Sequence, residues 1–394
     1  MTEASLRDQP THETSELRVE VVTDLRESFV AEWATFAKER VLVKRLAYEP
    51  GFSQAEFALH PERPPYLVVV RRRGKIVAMA VGARSRSPLI FSVSVIQIRK
   101  FRAWKLKVFG NDFAYDRDED PKVLARAIFE ELATRGNEVE VLTFDELFDD
   151  SVLYDLFKKG EARVFGFSLE PTTAAPDVAH HAALPKTFDA LLLQIPGDKR
   201  GRVRRLLRDA KATGLVLEEF KTGDSVARFL KFVEEIYPRT WQGRTFGPRV
   251  RNARHLEILA DHGWLRGFVL FEKEKAIAFV LGFQYDGTYI YEEPGYDSEA
   301  TAKSPGFTLL SMLLEHVFKE NPPTVFDFGF GDNQYKRVFS TEQVAVRAAV
   351  AVHTPFLRAL FRGQRVVTRV YDDVRKEVIR RGYDQKVRDF LKHR

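Results

Sequence analysis

The sequence predicts an α/β protein of two tandem, related halves, each a twisted mixed sheet flanked by helices, followed by a C-terminal helical tail. Three observations lead there. At 394 residues the chain is too long for one ordinary core. Its composition, 44% hydrophobic and 30% charged with 32 Phe, is that of a folded chain with ample core material. And one order of strands and helix occurs twice along it.

In the first half, Glu27 to Arg40 carries Phe29, Trp33 and Phe36 at helical spacing. Pro65 to Arg73 and Lys75 to Ala83 read as two strands joined at Gly74, a hairpin residue. A helix from Pro121 to Arg135 and a strand from Glu138 to Phe144 complete this half. The second half repeats the order. Trp264 to Phe271, Ala276 to Tyr285 and Thr288 to Glu292 read as strands, Ser304 to about Lys319 as a helix, and Thr324 to Phe330 as the closing strand. Three segment pairs match in the same order: Arg73–Gly82 with Glu274–Gly282, Leu124–Leu132 with Leu309–Val317, and Val139–Phe144 with Thr324–Phe328.

Residues 1–15 are polar and are predicted to be a disordered tail; 16–178 form the first half, 179–350 the second and 351–394 a basic helical tail. The Pro-rich stretch Glu170 to Lys186 reads as a linker that leaves His180 and His181 exposed, and Leu191 to Ile195 as a strand before a basic helix, Lys199 to Lys211.

The chain has no cysteine, which excludes disulfides, thiolate metal sites and cysteine nucleophiles. The nine histidines show no ligand spacing, so no metal is expected. The polar N-terminus has no apolar signal region, which predicts a cytoplasmic protein. From Phe356 onward there are 12 Lys/Arg against 5 Asp/Glu, while the whole chain is at +6, so the positive charge resides in the tail. Leu357, Leu360, Phe361, Val370, Val374 and Val378 there follow helical spacing, and an amphipathic helix packed partly on the second half, with a basic face exposed, is expected. A basic face of this kind is a solvated surface or a contact with anionic membrane at its inner face.

Two segments carry the chemistry. In Lys303-Ser-Pro-Gly-Phe-Thr308, Ser304 suits an N-cap and Pro305 the first helical position. Gly306, Phe307 and Thr308 then expose backbone amides at a positive helix end, which a pyrophosphate requires. In Thr324 to Phe339, Phe326, Phe328 and Phe330 alternate on one strand face. Gly331 ends the strand, Asp332 caps the next helix and pairs with Lys336 four residues on, and Tyr335 and Lys336 stand just past the strand end, where α/β proteins bind ligands.

Asp327-Phe-Gly-Phe-Gly-Asp332 followed by Tyr335, Lys336 and Phe339 resembles the signature of the cellulose-biosynthesis-type acetyltransferases (the CelD/BcsL group), relatives of the Fem-type peptidyltransferases. Both groups are GNAT-like, often with two GNAT-like halves. The resemblance implies that Ser304 to Thr308 binds the pyrophosphate of acetyl-CoA or another acyl-CoA, with Gly306 the one glycine kept from the family's loop. It implies that Tyr335 protonates the leaving thiolate. Lys336 is expected to hold the developing oxyanion or an acceptor anion. Glu292 or Glu293, which face opposite ways on a strand, is expected to be the base; Glu292 is the choice made here. The first half, with Leu142 to Leu147 at its strand end and no Tyr-Lys pair at matching spacing, is expected to have lost the chemistry. The implied function is transfer of an acetyl or acyl group to an amine or hydroxyl of a small-molecule, glycan or lipid-linked acceptor in envelope or polysaccharide synthesis. The alternatives are Fem-like transfer from aminoacyl-tRNA, with the basic segments binding phosphates, and a non-catalytic binding module.

Overall fold

The protein is described from a computed structural model, which covers residues 17–93, 96–160, 165–172, 176–249, 251–300, 302 and 304–380. The predicted disordered tail lies outside the described residues.

The first half runs β1 (Leu17–Val22), α1 (Glu27–Glu39), α2 (Pro50–Leu59), β2 (Leu67–Arg72), β3 (Lys75–Ala80), β4 (Gly82–Val93), β5 (Ile96–Val108), β6 (Ala114–Tyr115), α3 (Pro121–Thr134), β7 (Val141–Phe148), α4 (Val152–Lys158) and β8 (Ser168–Pro171). The second begins with β9 (Asp177–Ala183), α5 (Phe188–Gln194) and α6 (Gly197–Ala212). It then repeats the first: β10 (Leu215–Phe220), α7 (Gly223–Ile236), α8 (Trp241–Phe246), α9 (Ala253–Asp261), β11 (Gly267–Glu272), β12 (Lys275–Tyr285), β13 (Thr288–Tyr296), α10 (Pro305–Val317), β14 (Val325–Phe330), α11 (Gln334–Phe339) and β15 (Glu342–Val352). The tail forms α12 (Pro355–Arg380).

The repeat extends to local detail. The β2–β3 and β11–β12 hairpins both turn through a residue of positive φ, Arg73 and Lys273. Both also carry a bulge one step before the turn, between Val70 and Arg71 and between Leu270 and Phe271. Each half is layered helix–sheet–helix. The α3 side of the first half buries Leu124, Ile128 and Phe129 against Val68 and Val77, and the other face buries Trp33 and Phe36 of α1. In the second half, Leu310, Leu313 and Leu314 of α10 cover one face, and Val226, Phe229 and Val233 of α7 the other. Leu46 and Ala55 of the first half belong to that last cluster, so the halves share a core.

The mixed α/β fold of twisted sheets flanked by helices is the one the sequence predicts, but the sheets are not divided between the halves. Strands β1-β2-β3-β6 form one sheet, and an 11-stranded sheet runs β10-β11-β12-β13-β14-β9-β15-β7-β5-β4 with β8 beside β15. The cause is an exchange of strands. The last strand of the second half, β15, pairs antiparallel with β7 of the first. β9, which leads out of the first half, pairs with β14, and β9 and β15 pair with each other.

Two local expectations also change. Part of the predicted linker is strand, since β8 ends within it and β9 lies inside it, while residues 173–175 lie outside the described residues. His180 is fully buried, with Nδ1 3.2 Å from the Ser340 hydroxyl, and His181 Nε2 lies 3.3 Å from Asp327. An alternating apolar pattern marks β9 poorly because Asp177, His180 and His181 find partners within the fold. Leu191 to Ile195 is helical rather than a strand, since Thr187 caps α5 by accepting from the Ala190 amide and both Leu191 and Leu192 then reach the core. The tail is helical as its spacing predicts, and Leu357 joins a cluster with Leu89, Ala103 and Val141 of the first half and Val350 and Val352 of β15.

Candidate functional site

In both halves two neighbouring strands run parallel for three residues and then separate. In the first these are Lys105–Lys107 with Val141–Thr143, and in the second Thr288–Ile290 with Val325–Asp327. Past each point of separation lies a slot next to a helix start. What fills the slot differs between the halves.

In the first half both features are closed. Asp120 caps α3, its carboxylate accepting from the Lys122 amide, so negative charge already occupies the helix end. The strand corresponding to β13 is broken between β5 and β6, and the Asn111 side chain accepts from the Asp145 amide of β7 at 2.9 Å, tying the slot shut.

In the second half neither tie is present among the described residues. Ser304 sits at the helix start with φ 53°, in the left-handed region, and its hydroxyl caps nothing; the expected side-chain cap is therefore corrected. The reason is that its conformation turns the side chain away while its carbonyl accepts from the Thr308 amide. Pro305 occupies the first helical position and is buried, as is Thr308. The Gly306 and Phe307 amides receive no side-chain cap. A Cβ on Gly306 would lie 2.8 Å from the Tyr296 ring, which explains glycine there. Beside this end, the Arg202 guanidinium of α6 stacks 5.0 Å over the Phe307 ring.

On the slot's other wall, β13 carries a bulge. Tyr291 pairs with Gly282 and Glu293 with Leu281, which leaves Glu292 as the extra residue. Tyr291 and Glu293 are buried, whereas Glu292 is exposed and makes no hydrogen bond or ion pair with a described residue. Glu293 is held by Arg251, whose guanidinium also lies 4.4 Å over the Tyr237 ring. Of the two glutamates, only Glu292 is therefore free to face a ligand. Desolvation raises its pKa, with the Asp327, Glu293 and Glu56 carboxylates adding to the effect and Arg249 opposing it.

The end of β14 owes its shape to Gly329 and Gly331, at φ 67° and 93°. Asp327 accepts from the Gly329 amide at 2.7 Å, and the β9 register shifts between Asp327 and Phe330. The shift turns Phe330 outward, 52% exposed, so only Phe326 and Phe328 of the three alternating phenylalanines are core. It also points the Gly329 and Phe330 carbonyls inward to the Lys336 ammonium, which donates to both. Lys336 is 4% exposed and is a clamp on the strand end; it does not project into open cleft as expected. Burial lowers its pKa, opposed by Asp327, Asp177, Glu146 and Asp332. The expected Asp332–Lys336 pair and Asp332 cap are also corrected. Asp332 chelates Arg337 and lies 3.6 Å from His180, while α11 begins after Asn333.

Tyr335 is half-buried against Tyr291, ring centroids 6.4 Å apart. Its hydroxyl has no hydrogen-bond partner among the described residues, and burial pushes its pKa to about 12.

Sequence reasoning missed Glu146 of β7. The strand exchange brings this first-half carboxylate to the second half's site. Its pKa is pushed up to about 7 by desolvation and by the Glu292, Asp327 and Asp145 charges, with Arg45 opposing. No hydrogen bond pairs it among the described residues. The Arg45 guanidinium lies 5.2 Å over the neighbouring Phe148 ring. The signal in the sequence was weak, since Glu146 is one of three polar positions, with Thr143 and Asp145, in Leu142 to Leu147.

Among the described residues, Glu219, His316 and Glu320 are the one group whose donor atoms lie close enough to share a metal ion. Arg266 and Lys221 already occupy those carboxylates, at 2.5 Å and 3.2 Å, which disfavours a cation there.

The comparisons with known proteins agree with this picture of the fold. No curated protein matches the chain. The solved structure of FemX superposes with a TM-score of 0.60 at 13% identity, over 87% of this chain and 100% of that one. A conserved protein of unknown function from Bacteroides thetaiotaomicron VPI-5482 gives 0.50 at 12% identity, over 85% and 99%. A tandem GNAT protein from the clavulanic acid biosynthesis pathway gives 0.47 at 13%, over 86% and 99%. Residues 197–337, from the start of α6 to α11, match the family model described as an acetyltransferase (GNAT) domain, so the half with the open slot is also the half that is similar in sequence to GNAT acetyltransferases.

Proposed function

We propose that the protein is an acyltransferase in which residues 179–350 bind an acyl-CoA and residues 16–178 supply one wall of the acceptor site. The observation that carries this reading is the contrast between the halves. The second has an uncapped helix start and an open slot between parallel strands, where the first has Asp120 and Asn111. The pyrophosphate takes the amides of Gly306 and Phe307, with Arg202 adjacent. The thioester lies in the slot between β13 and β14, and the acceptor lies in the trough between Glu292 and Glu146.

The chemistry then needs two proton transfers. An acceptor amine or hydroxyl attacks the thioester carbonyl and loses its proton to Glu292, whose raised pKa makes it a stronger base than an ordinary carboxylate. The tetrahedral intermediate expels the coenzyme A thiolate, which takes a proton from Tyr335. Lys336 acts indirectly, by fixing the strand end that bounds the slot. The strand-end signature favours the cellulose-biosynthesis-type subgroup, with acetyl as the group transferred and an envelope or polysaccharide-related acceptor on the cytoplasmic side.

The exposed arginines of α6, Arg204, Arg205 and Arg208, favour one second reading, a donor richer in phosphate such as aminoacyl-tRNA. Calorimetry separates the two. Coenzyme A is expected to bind the wild-type chain, and Ser304→Asp, which places a carboxylate at the helix start as Asp120 does in the first half, is expected to weaken that binding about tenfold or more while leaving the melting temperature unchanged. Absence of coenzyme A binding, together with salt-sensitive tRNA binding, would replace the first reading with the second.

A further inference from the structure

Helix α12 is seated by Leu357 in a cluster with Leu89, Ala103, Val141, Val350 and Val352, with Leu360 and Phe361 packed beside it. Phe356 also meets the Phe101 ring of β5 at 5.7 Å. Arg362 and Arg365 reach back to Glu170 of β8, a carboxylate that is 2% exposed, which fixes how the helix is rotated.

With that rotation set, a second apolar face remains uncovered. Val366, Val370 and Val374, at four-residue spacing, are 60%, 58% and 57% exposed, and Val367 beside them is 48% exposed. At 100° per residue this stripe lies next to the row formed by Arg358, Arg362, Arg365 and Arg369. The neighbouring β5 adds the exposed Lys100 and Arg102.

We propose that this face of α12 docks on the surface of a bilayer containing anionic lipid, with Val366, Val367, Val370 and Val374 entering the headgroup boundary and the exposed Arg369, Lys100 and Arg102 contacting lipid phosphate. An apolar stripe flanked by arginines is the arrangement an interfacial helix uses. The positive charge of the tail, 12 Lys/Arg against 5 Asp/Glu from Phe356 onward, complements an anionic leaflet. The stripe is too small for the other obvious occupant, a second copy of the chain. Stable protein interfaces take roughly 20–30 residues a side, and a two-fold pairing of this helix would bring like-charged arginine rows together. No described helix is long and apolar enough to cross a membrane, so the contact is with the surface.

The test is sedimentation of the full chain with vesicles of equal parts phosphatidylcholine and phosphatidylglycerol, and with pure phosphatidylcholine. Wild-type protein is expected to sediment with the anionic vesicles, to remain in solution with the neutral ones, and to be released by salt. The double variant Val366→Asp/Val370→Asp is expected to lose about tenfold or more in vesicle affinity, with its melting temperature and coenzyme A binding unchanged, because both positions are exposed and far in sequence from the α10 start. Binding that the double variant retains in full, or no binding by the wild type, would overturn the proposal. So would a wild-type dimer in solution that the double variant turns into a monomer, since that assigns the stripe to a second copy.

Discussion

Glu146 is the residue whose role changes most between sequence and structure. In the sequence it is one acidic position on a strand of the half without a Tyr-Lys pair. In the fold it stands among Glu292, Asp327 and Asp145, and these charges together with burial move its pKa to about 7. The sign of the stability effect follows from linkage. Between the ordinary carboxylate range and about pH 7 the folded chain keeps a proton that the unfolded chain has released. Stability from this group is therefore full at pH 4 and below, declines as pH rises, and is lowest above pH 7. Glu146→Gln should match wild-type stability at pH 4 and exceed it by about 1–3 kcal/mol at pH 8. Chemical denaturation at the two pH values checks this, and a variant less stable at pH 8 would mean that Glu146 has a cationic partner there. Lys336 changes in the other direction. Its spacing after a strand end suggested contact with substrate, but spacing does not show that two left-handed glycines turn the Gly329 and Phe330 carbonyls onto the ammonium.

At the scale of elements, those with strong periodicity were legible. The amphipathic α1, α3 and α10, the β2–β3 and β11–β12 hairpins and the basic tail helix all follow from apolar spacing and turn residues. Many elements went unread, among them β4, β5, β10, α7, α9 and β15; β8, β9 and α5 were read otherwise because their polar residues are satisfied by distant strands or a local cap overrides an apolar run. The open site itself was half legible: the α10 start could be read from Ser-Pro-Gly, whereas the Glu292 bulge depends on pairing between two strands and leaves no local mark. One element depends on a polar network that spacing also hides. Glu219 on β10 joins the buried Arg266 at 2.5 Å and His316 at 3.0 Å, while Arg266 also donates to Gln284 at 2.6 Å. Burial alone would raise the Glu219 pKa, but the His316 and Arg266 hydrogen bonds and the nearby cations hold it at about 2. Its stabilisation is thus present above the ordinary carboxylate range and is lost as pH falls toward 2. Glu219→Gln leaves Arg266 buried without its carboxylate and should cost about 3–5 kcal/mol at pH 7; a thermal melt that shows less than about 1 kcal/mol of loss would place the weight on Gln284 and the Asn321 carbonyl instead.

For the whole molecule, the exchange of β9 and β15 decides what the halves can do together. Separate sheets would have left two independent sites, one of them degenerate. The continuous sheet instead brings β7 to the open slot, so the half with the closed slot still contributes Glu146. This arrangement was not legible from the sequence, because the repeat shows which elements correspond and not which half the last strand of each joins. The central claim is that the donor enters the second half only, between an uncapped helix and two separating strands. The measurement that tests it most directly is a crystal structure of the chain with acetyl-CoA. The account predicts the pyrophosphate on the amides of Gly306 and Phe307, the sulfur within about 4 Å of the Tyr335 hydroxyl, and Glu292 and Glu146 facing the acyl group across the trough. A pyrophosphate at the start of α3, or a thioester lying away from the β13–β14 slot, would contradict it.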